Sequence, residues 1–401
     1  MGTGRGNLPR WRLKRFLIPE SDFLEISLRL FSVNVNRAGK PDKLSGKITP
    51  EAGRARDLVL RYGWNTTSFQ IVNPGIRYWF ARDAVIGFVS SDKVRVVVGA
   101  PVCDLQALPE IAAQFESEAA QSGEKVCYFG AEARLENLYG RSKNHSKILL
   151  GAQAFWRPER LVVAIDSTAS LRAQCNRARN KGIRIREMDY REASENPGLL
   201  DCLRSWLNIK GLPPLHFVVE PETLGRLEYR RFFVAERSGQ IEGFLVLSPI
   251  PALNGWLTEQ FPHRPEAPNG TVESMIAAAG RALASDGSAY ITLGLSPLSR
   301  RGKVPPFDNP LLIRFILAWL RKHGQRFYNF DGLDSFKAKF RPDGWEPVFA
   351  IAGEPVFSGK TMWAIARAFT ANRPFSAIAS GLAKALRSEA SNLYSACGRI
   401  F

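Results

Sequence analysis

AVIGFVSSDKVRVVVG, residues 84–99, is the stretch whose reading decides the architecture. Residues 84–90 and 93–99 are runs rich in β-branched and aromatic side chains, and the polar residues between them signal a turn, so two consecutive strands are predicted. Residues 105–122 then carry a helical period and residues 125–130 return to strand, giving the order β-β-α-β. The same order recurs at residues 230–235, 241–247, 271–285 and 289–294, with Ser238 and Gly239 supplying the first turn. The repeat is one of pattern, not of letters. Further strands are predicted at residues 161–166, 326–330 and 347–352. The fold expected is α/β (α+β): two similar units in tandem, each a mixed, mostly antiparallel sheet flanked by helices. The polar cluster Glu195-Asn196-Pro197-Gly198 places the join, so the units are assigned to residues 55–195 and 196–356. A basic arm (1–54) precedes them and a basic tail (357–401) follows.

The 401 residues carry a formal net charge of +17, with 45% hydrophobic and 11% aromatic residues. Such a composition folds, and its positive field draws polyanions, nucleic acid or anionic lipid alike, unless the charge serves solubility alone. Cys103, Cys127, Cys175, Cys202 and Cys397 form no C-x-x-C pair and have no histidine at a zinc-binding spacing. No metal is expected, and a reducing compartment fits. The N-terminus lacks the apolar segment of a signal peptide, and the apolar run at residues 311–320, broken by Arg314, falls short of the ~20 residues of a spanning helix. The expectation is a cytoplasmic protein bound peripherally to the inner face of a membrane. Phosphate-loop, H-E-x-x-H and G-x-S-x-G signatures are missing, which sets aside nucleotide hydrolysis and zinc proteolysis.

Several blocks occur in order: YGWNTTSFQIVNPGIRYWF (62–80), VVVGAPV (96–102), VCYFGAEARL (126–135), FFVAERSGQIEGFLVLSPIP (232–251), NGWLTEQFPHRPEAPNGTVE (254–273), YITLGLSPLS (290–299) and FYNFDGLDSFKAKFRPDGWEPVFA (327–350). Together they resemble the soluble domain of the phosphatidylglycerol lysyltransferases and alanyltransferases, over residues 61–352. The resemblance implies tandem GNAT-like folds and transfer of an aminoacyl group from charged tRNA to a lipid hydroxyl. The glycine-rich turn by which ordinary GNAT enzymes hold coenzyme A follows neither candidate strand. No cofactor is therefore expected, with aminoacyl-tRNA as donor substrate and an anionic membrane lipid as partner. Family members commonly carry an attached flippase, so here a separate flippase would move any lipid product. Two rival readings stand beside this one: aminoacyl transfer to a peptidoglycan precursor, and a nonenzymatic relative that only binds tRNA or membrane.

The resemblance also implies an acid, and an arginine three positions on, before an A-P-x-G-x-x-[DE] block. Aligned on Ala267-Pro268-Asn269-Gly270, the acid falls at Glu259 or Gln260, but the arginine position falls at Pro262 or His263, a departure from the family pattern. Acyl transfer needs a group to take the proton of the attacking hydroxyl and positive or N–H groups to meet the oxyanion. Glu259 and His263 are candidates for the first task, and Arg264 for substrate binding. In FKAKF, Lys339 is a candidate catalytic group and Lys337 a substrate-binding one, while Phe336, Phe340 and Trp345 are expected to pack in the core. Solvated loop and helix-edge positions are the plainer reading of these charges. Arg172, Arg177, Arg179 and Lys181, continued by Arg184 and Arg186 with no acid between, form either a tRNA-binding run or a solvated helix face. In the tail, Phe375, Ile378, Leu382, Leu386 and Leu393 make an apolar stripe beside Lys384 and Arg387, suited to a membrane interface or to the protein's own core.

Overall fold

The structure, a computed structural model, describes residues 49–209, 216–220, 224, 228–302, 309 and 330–370. The tail stripe, the apolar run at 311–320 and, apart from Phe330, the strand predicted at 326–330 lie outside the described residues. Helix α1 (Pro50–Tyr62) starts where the Thr49 side chain accepts from the Ala52 N–H, and it turns Ala52, Ala55, Leu58 and Val59 inward. A 3-10 turn (Ser68–Val72) leads into β1 (Arg77–Ala81), β2 (Ala84–Ser91) and β3 (Val94–Val98). Asp92 and Lys93 reverse the chain between β2 and β3 with positive φ at both residues, a geometry whose twist matches that of the flanking strands. Next come α2 (Leu108–Gln121), β4 (Lys125–Ala131), α3 (Ala133–Tyr139) and β5 (Ser146–Trp156).

Residues 161–166, predicted as a strand, instead lie in helix α4 (Pro158–Ser167). An apolar run this short does not separate strand from helix by periodicity. Pro158 opens the helix, and Leu161, Ala164 and Ile165 pack inward at helical spacing while Val163 stays in solvent. The chain continues through α5 (Ala169–Asn180), β6 (Arg184–Met188), α6 (Tyr190–Glu195), α7 (Pro197–Ile209), β7 (Arg231–Arg237) and β8 (Gln240–Ile250). It ends with β9 (Gly255–Gln260), α8 (Thr271–Ser285), β10 (Tyr290–Pro297), α9 (Phe330–Ala338), β11 (Gly344–Ala352) and α10 (Gly359–Phe369).

Among the described residues the strands form one eleven-stranded sheet in the order β1-β2-β3-β4-β11-β5-β10-β9-β8-β7-β6. The pairs β3–β4 and β9–β10 are parallel and the others antiparallel. The doubled order is therefore β-β-β-α-β: β1-β2-β3-α2-β4 is answered by β7-β8-β9-α8-β10, with the helices as the crossovers that parallel pairs require. This is the mixed, tandem GNAT-like arrangement, in which β5 and β11 fill the centre between β4 and β10. On the back of the sheet α2 and α3 cover Ile86, Val97 and Tyr128, while α4, α5, α8 and α9 enclose Trp156, Phe233, Leu245 and Phe340. On the front α1, the 3-10 turn and α10 cover Ile71, Val96 and Ala350, and α6 and α7 cover Phe232 and Val246.

The pairing slips near the sheet centre at Gly130 in β4, Leu150 in β5, Glu259 in β9 and Gly294 in β10. Bulges bend strands and re-aim side chains, and they collect beside active sites. These four direct attention to the front of the central strands.

Candidate functional site

WNTTSFQ, residues 64–70, crosses the front of the sheet over these bulges. Trp64 Nε1 donates to the Pro101 carbonyl at 3.1 Å, and Asn65 Nδ2 to the Gly130 carbonyl at 3.0 Å. Asn65 Oδ1 accepts from the N–H and the hydroxyl of Thr67, closing a local turn. Gly99 lies beneath with φ +67, and a Cβ there would stand 2.6 Å from Asn65 Oδ1, so both backbone shape and close approach require glycine. The loop delivers Thr66 to one polar cluster and Gln70 to another.

In the first cluster Glu132, at the end of β4, accepts from the Thr66 N–H at 2.9 Å and lies against the Thr66 hydroxyl. That hydroxyl is 3.1 Å from Gln153 Oε1 of β5, whose Nε2 donates to Glu346 Oε2 of β11 at 3.0 Å. Tyr290 of β10, stacked on Phe155, donates its hydroxyl to the same Glu346 oxygen at 2.9 Å. Part of the Glu132 residue reaches solvent, but its carboxyl is enclosed. Burial pushes it up to about 7; the Thr66 hydrogen bonds oppose the rise and Glu346 adds to it.

In the second cluster Gln70 Nε2 donates to Ser248 Oγ at 3.2 Å and to Glu259 Oε1 at 3.1 Å. Arg230 Nε donates to the same carboxylate oxygen at 2.9 Å, with its guanidinium 4.9 Å from the centre of the Phe69 ring. The Arg230 and Glu259 side chains are only 1% and 8% exposed, a degree of burial that a charge tolerates only with such partners.

Parallel pairing of β9 and β10 stops after Leu257 and Thr292. Beyond it Gly294, at φ +71, lies beside Leu257 and Thr258, and the bulge turns two carbonyls out of the ladder. Lys337, reaching in from α9, takes both: Nζ donates to the Gly294 carbonyl at 2.7 Å and the Leu295 carbonyl at 2.9 Å. Burial pulls its ammonium down to about 7, with Asp334 opposing. A neutral amine still has an N–H for each carbonyl.

The remaining charges singled out from the sequence lie elsewhere. Lys339 pairs with Glu273 of α8 and sits over the Phe336 ring, so FKAKF pins α9 to the back of the sheet, where Phe336, Phe340 and Trp345 join the core. His263 bridges to Gly243 through its backbone, and Arg264 Nε donates to the Ile241 carbonyl at 2.8 Å. Glu259 lies near Leu247, so roughly 10–13 Å of strand separates it from His263, and the structure does not bring the two together. Arg172, Arg177, Arg179 and Lys181 are exposed on α5 and at its end, and none pairs with a carboxylate among the described residues. Arg186, by contrast, is tied to Glu192 and Glu236. A surface cavity of about 570 Å³ between α1 and the β1–β2 turn, lined by Arg54, Asp57, Arg61 and Arg82 among others, shares no residue with either cluster. No three His, Cys, Asp or Glu side chains gather as a metal site among the described residues, and no helix there is long and apolar enough to cross a membrane.

The sequence profile for "Phosphatidylglycerol lysyltransferase, C-terminal" matches residues 56–352, well over half of the chain. The chain belongs to this family. It is similar to the phosphatidylglycerol lysyltransferase of Bacillus subtilis (strain 168), at 23% identity over 321 residues, 78% of this chain and 36% of that protein. It thus spans little more than a third of the relative's length. Its fold is similar to that of the C-terminal domain of a protein described as a lysylphosphatidylglycerol synthetase from Agrobacterium fabrum, with TM-score 0.68 and 20% identity over 81% of this chain and 98% of that one. It is also similar to L-PGS from Bacillus licheniformis, with TM-score 0.66 and 19% identity over 82% and 98%. Both polar clusters and Lys337 fall inside the family-matched span.

Of these residues, sequence reasoning missed Thr66, Gln70, Glu132, Gln153, Arg230, Tyr290 and Glu346. The available signal was polarity out of place: Asn65, Thr66, Ser68 and Gln70 are buried polar residues in a short aromatic-flanked segment.

Proposed function

We propose that this chain transfers an aminoacyl group from charged tRNA to a hydroxyl of an anionic lipid headgroup such as phosphatidylglycerol, without a cofactor, at the inner face of the membrane. The observation that carries this reading is convergence: within the family-matched span, the two polar clusters and the Lys337-held bulge flank the point where β9 and β10 part. Transfer joins the lipid oxygen to the ester carbon and breaks the bond from that carbon to the ribose oxygen, while charge passes through the carbonyl oxygen. Glu259, held by Arg230 and Gln70, offers a carboxylate in a fixed position to orient the incoming lipid headgroup. Lys337, through the Gly294 and Leu295 carbonyls, and Lys339, through Glu273, are positioning residues. His263 and Arg264 hold the chain beyond β9 against β8. The open row Arg172, Arg177, Arg179 and Lys181 supplies cations for tRNA phosphates.

The test supplies the purified chain with tRNA charged with radiolabelled amino acid and with vesicles containing phosphatidylglycerol. Labelled lipid is expected without coenzyme A, and mass spectrometry of the extract identifies it. Strict dependence on an acyl-coenzyme A donor would refute the reading. The burial of Glu259 against Arg230 and Gln70 and the missing arginine favour a second reading, a nonenzymatic binder of tRNA or membrane, which no transfer from any charged tRNA would support.

A further inference from the structure

With both carboxyls ionised, the first polar cluster has one hydrogen-bond donor fewer than it has side-chain links. Three links join its ends: Glu132 to the Thr66 hydroxyl, that hydroxyl to Gln153 Oε1, and Gln153 Nε2 to Glu346. Thr66 has one hydroxyl proton, and the amide donates only from its nitrogen. With Nε2 toward Glu346, Gln153 serves the last link and Thr66 the middle one, so the first has a donor only if Glu132 is protonated. With the amide turned over, Gln153 serves the middle link and Thr66 the first, and the last then needs a proton on Glu346. The Tyr290 hydroxyl donates to Glu346 either way, and the Thr66 N–H reaches only Glu132, so neither supplies the missing link. In either orientation one carboxyl proton gives every link its own donor, and rotating the amide moves that proton's place from one end to the other.

The surroundings agree with the count. The titratable groups facing Glu132 are Glu346 and Tyr290, while Arg134 of α3 turns away, 5.1 Å from the centre of the Trp64 ring. Burial among such neighbours holds Glu132 up at about 7, which makes it the resting holder. As residues, both glutamates are partly exposed at the front of the sheet.

We propose that Glu132 and Glu346 share one proton and form the acid–base pair of the acyl transfer, a role that rests on the aminoacyl-transfer reading above. The unprotonated carboxylate takes the proton of the attacking hydroxyl as its oxygen bonds to the ester carbon. The protonated partner gives its proton to the ribose oxygen as that carbon–oxygen bond breaks. The pair ends with one proton, as it began, and no co-reactant is needed. Two carboxyls whose surroundings separate their protonation states commonly divide acid and base work in this way.

Two measurements on the full chain test the proposal. In thermal unfolding, the native wild type holds a proton that the unfolded chain releases near pH 4.3, so stability falls as pH rises from about 4.3 to 7 and then levels. Glu132→Gln puts an amide N–H in place of that proton and should fold without this fall; Glu346→Gln closes the same count and serves if the first variant does not fold. An unchanged slope in the folded variant overturns the shared proton. In the charged-tRNA assay Glu132→Gln should turn over roughly 10²-fold more slowly, with tRNA binding by fluorescence anisotropy unchanged. A lost slope with wild-type transfer makes the proton structural and overturns the acid–base role, leaving the transfer reading intact. No transfer by the wild type overturns that reading and this role together, whatever the slope shows.

Discussion

Arg230 and Glu259 lie almost wholly out of solvent, so each depends on the other for its charge. Removing one partner of such a pair strands the other, which costs far more than the pair itself contributes. Arg230→Met should therefore lower unfolding free energy in urea by about 3–5 kcal/mol. Adding Glu259→Gln should recover most of that loss, because the carboxylate no longer needs a cation. A single-variant loss under about 1 kcal/mol, the scale of an exposed pair, would show that water reaches the pair in solution. At this scale the sequence was readable in part. Glu259 is found by its place before the A-P-N-G block, yet nothing near residue 230 announces the arginine that holds it. The partners come from the residue just before β7 and from Gln70 far upstream, and these contacts across the sheet leave no local trace.

Between helix α9 and strand β10, one buried lysine replaces two ladder hydrogen bonds. The unfolded chain holds the Lys337 proton up to about pH 10.4, whereas the native chain loses it near 7. Over that window the unfolded state binds more protons, so stability rises with pH. Lys337→Met keeps the apolar stem and removes the titration. Urea unfolding between pH 7 and 10 should show the rise in the wild type and not in the variant; the same rise in both would mean that Lys337 is not buried as charged-group chemistry requires. Elements themselves were unevenly legible. The β2–β3 and β7–β8 hairpins were plain, because two-residue turns sit between apolar runs. Strand β9 was not, since Gly255, Glu259 and Gln260 carry little strand signal and the strand is held by its pairing with β8 and, at its start, with β10. Helix α4 was misread because LVVAID reads alike in either period.

For the molecule as a whole, the open cations of α5 give the charge of +17 a direction. If Arg177 and Arg179 neutralise tRNA phosphates, each releases counterions, and the slope of log affinity against log salt should shrink by roughly 0.7–0.9 for each arginine removed. Arg177→Ala with Arg179→Ala should thus weaken charged-tRNA binding and flatten its salt dependence while leaving the thermal transition in place, since both side chains are exposed. An unaltered slope in a binding assay run from low to moderate salt would move the tRNA to another face.

The sequence by itself determined what depends on neighbours along the chain: the strand–turn–strand runs, the amphipathic crossover helices, the basic surface and the ordered blocks that mark the family. Only the tertiary structure decided that β11 returns between β4 and β5, so that Gln153 links Glu346 to Thr66 and, through Thr66, to Glu132. The reason is physical. Local periodicity reports which face of an element turns inward, whereas the state of a buried carboxyl or amine follows from which distant donors, acceptors and charges share its low-dielectric surroundings.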